Sequence, residues 1–512
     1  MNRVDQFSET IVKGYSFKGE SVVMGGAILD AQAIEGLQIK APLSMFSRHG
    51  LIAGATGSGK TKTLQTLAEK LSLQGVSVLM MDIKGDLSGL SQPGTPHAKI
   101  QERHQKIGTA WKPESFPVEF LSLSGEKGIR LRATISEFGP VLLSKILGLN
   151  DTQQGLVSLV FKYCDDRGLP LLDIKDFRAV LQYITGQGKT EVQQEYGLIS
   201  SSSVGTVLRK LLEIEQQGAD LFFGERSFDV DDLVRLDDGG KGFISILRLV
   251  DIQAKPKLFS TFMLCLLAEI YEKFPERGDT AQPELVIFID EAHLVFQEAT
   301  KALLDQIESV IKLIRSKGVG VFFCTQNPND IPEAVLGQLG MKIQHALRAF
   351  TANDRKNIKQ VAENYPLSPF YKVDQTITEL GIGEAFVTLL NEKGIPAPLV
   401  HCLLCAPQSR MDVITDVEME QHLKNSRLIH KYNDNFDRES AFEMLQQKIN
   451  LARQAEENQK PSPEKDTGRG KQQASTFETV MKSPVTNTII REVTRGLLGV
   501  LGFSSNTRRR RR

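Results

Sequence analysis

The sequence predicts an α/β fold: a mostly parallel sheet in three layers, with a helical insertion and a C-terminal helical and disordered tail. Three observations carry that expectation. Short, continuous apolar runs of parallel-strand length alternate with stretches of helical spacing in two blocks of the chain. The first block opens with strand, glycine turn, helix and strand inside about 30 residues, the size of a βαβ unit. Between the blocks, helical spacing takes over and β-rich runs become scarce.

Composition sets the bounds. The 512 residues leave room for roughly two or three domains. Hydrophobic residues at 41% and charged residues at 24% match ordinary globular usage. Lys plus Arg (62) balance Asp plus Glu (62), which excludes a globally basic nucleic-acid coat and an acidic tail protein. Five widely spaced cysteines form no disulfide framework and fit a reducing compartment. The N-terminus lacks an apolar signal core, and no stretch reaches the roughly 18 apolar residues of a membrane span, so a cytoplasmic location is expected.

Taken in order, residues 1–46 read as a short strand-rich lead-in, and 47–137 as the first part of the α/β core. In that part Gly50-Leu51-Ile52-Ala53 is a buried strand. Leu64, Leu67, Ala68 and Leu71 mark one face of the next helix, and Val76 to Met81 is a second strand. Residues 138–237 form the helical insertion, with Leu142, Ile146, Leu156, Val160, Val207 and Leu211 at helical spacing. The core resumes over 238–410 with strands at Phe243–Leu247, Leu285–Ile289, Gly320–Cys324 and Ala385–Leu390, and helices at 258–273 and 301–316. Residues 411–453 suggest surface helices. Residues 454–476, without Val, Ile, Leu, Met or aromatic side chains, read as a flexible linker, and 477–512 as an amphipathic helix with an arginine tail.

Gly54-Ala55-Thr56-Gly57-Ser58-Gly59-Lys60-Thr61 fits G-x-x-x-x-G-K-[ST] between a strand and a helix, the context that phosphate binding requires. Glycines let backbone N–H groups curl inward toward phosphate oxygens, and the helix N-terminus adds partial positive charge. These eight residues and Lys62 are the nucleotide-binding candidates. Lys60 reaches the β- and γ-phosphates, and the Thr61 hydroxyl takes a place on Mg²⁺. At the tip of the Leu285–Ile289 strand stand Asp290, a second Mg²⁺ ligand candidate, and Glu291, suited to polarise an attacking water. Gln326, ending the next strand, is a γ-phosphate or water contact. Asp82 serves equally as a nearby acid or a turn former. Arg48 lies ahead of the loop strand, placed to reach an adjacent subunit, and Arg315 is a candidate contact to phosphate in its own subunit.

Beyond these elements the chain resembles the HerA/FtsK superfamily of P-loop ATPases, in its bacterial HerA-like, YjgR-type branch. The resemblance rests on Arg48-His49-Gly50 running into the glycine loop, Ile289-Asp290-Glu291-Ala292-His293, Leu313 to Gly320, Thr325-Gln326-Asn327-Pro328, and Gln344 to Phe350. It implies a RecA-like P-loop NTPase core, a hexameric ring with ATP and Mg²⁺ at subunit interfaces, and translocation on double-stranded DNA. It also implies that Arg48 acts across the interface and Arg315 as a sensor. HerA proper carries a β-barrel domain ahead of its ATPase core, where this sequence offers only about 50 residues, and that departure argues against carrying over the family's nuclease partner. Asp290-Glu291-Ala292-His293 alone would also suit a DEAH-box RNA helicase, but the long insertion and the Thr-Gln-Asn-Pro string oppose it. No Asn-Lys-x-Asp motif favours GTP over ATP.

Cys402 and Cys405 beside His401 have metal-like spacing but lack a second cysteine pair, which favours buried thiols. Arg508 to Arg512 suit DNA phosphates, an anionic membrane or plain solvation, and Ile489 to Leu501 carry the stripe of a docking helix. Two function classes follow: a Mg-dependent ATPase motor on double-stranded DNA, or an ATP-driven switch or scaffold acting on a protein partner.

Overall fold

The computed structural model describes residues 2–459 apart from 124, 253–254, 297–300, 392 and 435–437. The chain divides into two compact units, one from Met1–Arg130 with Asp229–Asn433, the other from Leu131–Phe228 with the residues from Asp434 onward.

The first unit is built on one sheet. Its strands are β1 (Ser21–Leu29), β2 (Gln32–Pro42), β3 (Gly50–Ala53), β4 (Ser77–Asp82), β5 (Val118–Ser122), β6 (Ile129–Arg130), β7 (Ile244–Arg248), β8 (Leu285–Ile289), β9 (Val319–Thr325), β10 (Met341–Gln344), β11 (Glu384–Leu389) and β12 (Val400–Leu404). Their order is β2-β1-β12-β11-β10-β3-β9-β8-β4-β7-β5-β6. From β10 through β6 all neighbours run parallel, whereas β11, β12, β1 and β2 continue as an antiparallel edge. Every residue of β3, β4, β8 and β9 is buried, so both faces of the parallel block are covered and the unit has three layers. That double burial is why these strands read as unbroken apolar runs. Phe288 and Phe322 pack with ring centres 5.2 Å apart and planes tilted by 43° in the core between them, each contributing about 2 kcal/mol of burial.

The lead-in begins with a helix, Arg3–Gly14, rather than with strands. Asn2 and Asp5 close its capping box, and only Phe7 and Ile11 are buried from it. Two apolar positions one turn apart leave too weak a periodicity to compete with the neighbouring apolar runs. The strands that follow, β1 and β2, pair with each other and with β12 in the same sheet.

The second unit is helical: Ile135–Ile146, Asp151–Arg167, Ile174–Thr185, Lys189–Tyr196, Ser201–Gln216 and Ala219–Phe222. Thr134, Asn150 and Asp173 close capping boxes at the first three. The helix Ala441–Gln459 joins this unit, with the Phe442 N–H donating to Asp176 (2.9 Å) and the Lys175 ammonium 3.8 Å from the Phe442 ring centre. The expected linker therefore starts inside a helix, whose final turns are rich in Ala, Gln and Glu, strong helix formers that need no apolar face. The rest of that linker, the stripe at Ile489–Leu501 and the arginine run lie outside the described residues. Among the described residues no helix is long and apolar enough to cross a membrane.

Candidate functional site

Strand β3 ends at Ala53 and the chain turns through Gly54–Gly59 into the helix Lys60–Leu73. The turn is tied to both neighbouring strands: Gly54 N–H donates to the Thr325 carbonyl at 3.2 Å and Ala55 N–H to that of Ala346 at 2.8 Å. Gly54 has φ 153°, and a Cβ there would sit 2.5 Å from the Cβ of His345, so only glycine fits. The buried Lys60 side chain folds back over the turn, its ammonium donating to the carbonyls of Gly54 (2.6 Å) and Ala55 (3.1 Å). Burial pulls its pKa down, and the Lys84 charge adds to this, while Cys324, Glu291 and Asp290 act in the opposite sense. Those influences bring together groups 230 residues apart in sequence.

The other half of the site follows β8. Met81 of β4 and Phe323 of β9 flank Ile289, which brings Asp82, Asp290 and Gln326 onto one rim. Asp290 and Glu291 are both buried, and Glu291 adopts φ 45°. The Lys84 ammonium pairs with Glu291 Oε1 and lies 3.7 Å from Asp290 Oδ2. Gln326 Nε2 is 3.4 Å from Glu291 Oε1, and His293 Nδ1 is 3.2 Å from Glu291 Oε2. Burial raises the Asp290 pKa, against the pull of Lys84. At Glu291 burial also pushes upward, but the Lys84 hydrogen bond and charge outweigh it and the net shift is down. Asp290 Oδ2 is buried without a hydrogen-bond donor among the described residues, and Glu291 Oε2 meets only His293 Nδ1, at an angle that makes no hydrogen bond. Carboxylate oxygens of adjacent residues left short of donors fit a divalent cation.

Asp82 is a turn former. Its carboxylate accepts from the N–H groups of Gly85 (2.7 Å), Asp86 (3.2 Å) and Leu87 (3.1 Å), which shapes the loop that delivers Lys84 to the acids. The sequence reading took up Asp82 but not Lys84, two residues on in Asp82-Ile83-Lys84-Gly85-Asp86. Its signal was a cation two residues past the β4 tip, on the rim shared with Asp290.

Residues 28–509 match the family described as Helicase HerA-like C-terminal. The chain belongs to that family. Relatives include the DNA double-strand break repair helicase HerA of Sulfolobus acidocaldarius, 23% identical over 332 residues, covering 64% of this chain and 60% of that one. Another is the DNA import protein CedB of the same organism, 24% identical, covering 70% of this chain and 52% of that one. The chain thus spans little more than half the length of these relatives. Among solved structures, the bacterial conjugative coupling protein TrwBdeltaN70 aligns with a TM-score of 0.51 at 14% identity, over 80% of this chain and 94% of that one. That likeness concerns the fold, a RecA-like P-loop core. The match holds for the HerA-like family as a whole rather than for any one branch.

In this HerA-like chain the two candidate arginines lie away from the loop. Arg48 ends the turn before β3, and Arg315 opens the turn before β9. Both therefore flank the starting ends of strands whose finishing ends carry Gly54 and Gln326. Arg315 pairs with Asp279 at 2.5 Å, and the Arg48 charge also reaches that carboxylate. The expectation that Arg315 contacts phosphate in its own subunit is corrected here. The seven residues of β9, at about 3.3 Å each, hold it roughly 20 Å from the loop rim.

Thr61 and Lys62 lie half-buried in the first turn of the loop helix, but the Lys62 ammonium is engaged by Gln65 Oε1 (3.2 Å) and the Met411 carbonyl (2.5 Å) rather than turned to the loop. Two further residues went unread in the sequence. His345 is buried against Gly54, with Nε2 3.0 Å from the Thr63 hydroxyl, and burial together with the Lys60 charge lowers its pKa to about 4. Arg348, with Ala55, Thr56, Gln326 and Phe350, borders a cavity of about 240 Å³ beside the loop. Cys402 packs in the main core, whereas Cys405 packs with Ile28, Ile107 and Leu403, and burial raises both thiol pKa values.

Proposed function

We propose that this chain is a Mg²⁺-dependent ATPase that works in the cytoplasm as a ring, a hexamer by family precedent, and moves or remodels double-stranded DNA. The observation that carries the reading is the meeting of the Lys60 loop with two buried acids whose spare oxygens suit a metal ion. In this reading the loop from Gly54 to Lys62 wraps the phosphates and offers them the backbone N–H groups not already tied to Thr325, Ala346 and Ala55, those of Thr56, Gly57 and Gly59 to Lys62, and Lys60 leaves its two loop carbonyls for the β- and γ-phosphates. Thr61 and Asp290 hold the Mg²⁺, which when bound neutralises charge on the phosphate oxygens. Glu291 polarises the attacking water, and Gln326, in contact with Glu291, orients it. Lys84 holds the acid pair until nucleotide arrives.

The location of Arg48 and Arg315 supports the ring. Neither can serve the loop of its own chain, and both lie half-buried on the rim opposite the site, where an arginine acting in trans belongs. The names of the relatives support DNA as the polymer. The test is ATP turnover with and without double-stranded DNA across a salt series. Stimulation that fades as salt rises supports the motor, since phosphate contacts release counterions. Turnover indifferent to DNA at low salt refutes it, and a nucleotide-dependent change of assembly would then favour a switch acting on a protein partner.

A further inference from the structure

The triphosphate reading fixes an orientation. Its γ end faces Asp290 and Glu291, on the β9–β8 side of β3. The nucleoside end must leave the loop on the other side, over β10 and β11. There the turn Gly381-Ile382-Gly383, just ahead of β11, is joined to the glycine loop: Gly383 N–H donates to the Ser58 carbonyl at 3.1 Å, and a Cβ on Gly59 would come within 3.0 Å of the Gly383 nitrogen.

This turn is held rigidly. Arg103 donates to the carbonyls of Ile382 (3.0 Å), Gly383 (3.0 Å) and Leu404 (3.1 Å). The Glu384 carboxylate accepts from Gly381 N–H at 2.9 Å and is itself paired with His401 at 2.9 Å. Gly383 has φ 73° and lies against the Arg103 guanidinium, with 3.1 Å left for any Cβ. What these contacts display is the Ile382 side chain, 72% exposed. An isolated exposed isoleucine is ordinary. One fixed by a half-buried arginine and a carboxylate–histidine pair, beside the glycine loop and on its nucleoside side, has a use.

We infer that Ile382 is the apolar platform on which the nucleobase of the bound nucleotide rests. The inference builds on the proposed ATPase reading. The N–H groups of Gly381 and Gly383 and the carbonyls of all three turn residues are already engaged within the chain. The turn therefore offers the base contact area but few hydrogen bonds, and it discriminates weakly between adenine and guanine.

Calorimetric titration of the full chain with ATP, GTP and inorganic tripolyphosphate, each with Mg²⁺, tests this. Ile382→Ala weakens ATP and GTP alike by about fivefold, the scale of losing part of one isoleucine contact, and leaves tripolyphosphate within about twofold. Ile382→Leu restores nucleotide affinity. Unchanged ATP affinity in the alanine variant overturns the platform, as does a loss confined to ATP or a parallel loss of tripolyphosphate. A parent chain that binds neither ATP nor tripolyphosphate removes the ATPase reading itself, whereas normal ATP binding by an unaffected Ile382→Ala variant removes only the platform.

Discussion

Removing His49 should produce a stability loss that depends on pH in a defined way. The ring is 3% exposed, with Nδ1 accepting the Val321 N–H at 3.0 Å and Nε2–H donating to the Ile311 carbonyl at 2.8 Å. Both nitrogens are thus used by the neutral imidazole, one as acceptor and one as donor. Burial lowers its pKa from 6.5 to about 4, with the Arg315 charge pushing the same way against the Ile311 hydrogen bond. Above pH 6.5 the ring is neutral in folded and unfolded chains, and its contribution is complete. Below that the unfolded chain gains a proton that the folded chain refuses, so stability falls by about 1.4 kcal/mol per pH unit, reaching about 3 kcal/mol as pH passes through about 4. His49→Ala orphans the Val321 N–H and the Ile311 carbonyl, costing about 3 kcal/mol at pH 7 to 8. The gap between parent and variant should be widest there and shrink steadily toward pH 4.5. Urea unfolding of both chains at several pH values measures it, and shared contributions from His104 and His345 cancel in the difference. A gap that stays constant from pH 8 to pH 4.5 would refute the neutral, doubly bonded ring.

Three further outcomes are expected. Lys60→Ala abolishes nucleotide binding, while Glu291→Gln cuts turnover by at least about 100-fold and keeps ATP affinity, as read by titration and phosphate release. Lys84→Met leaves Asp290 and Glu291 without their cation. It lowers the stability of the nucleotide-free chain by about 1 to 2 kcal/mol, the half-exposed ammonium being partly screened. Millimolar Mg²⁺ alone then raises the melting temperature of the variant more than that of the parent, and equal responses would count against an acid pair suited to metal. Arg48→Ala and Arg315→Ala retain ATP affinity but lose turnover, and mixing Arg48→Ala with Lys60→Ala chains recovers part of it. No recovery in mixed assemblies would argue against action across an interface.

The parallel core was legible because burial on both faces writes β3, β4, β8 and β9 as apolar runs, and the glycine loop has a spacing that few other structures need. The short strands β5, β6 and β10 left little trace, since at two to five residues their identity comes from partners far along the chain. The site divides in the same manner. Lys60, Asp290, Glu291 and Gln326 carry local patterns, but Lys84, His345 and Arg103 act through strand order, which no local window contains. Arg315 shows what that omission costs. Read along the chain it stands eleven residues before Gln326, close enough to suggest one site; in the sheet those residues are mostly β9, and a strand separates its two ends by its whole length. Arg48 and β3 repeat the arrangement on the adjacent strand, and Asp279 feels both arginines. A pair of arginines gathered on the rim opposite the loop cannot stabilise charge at its own loop without unfolding the sheet. Any part they take in hydrolysis must therefore be at a second copy of the chain, so a monomer trapped by dilution should bind ATP and fail to turn it over.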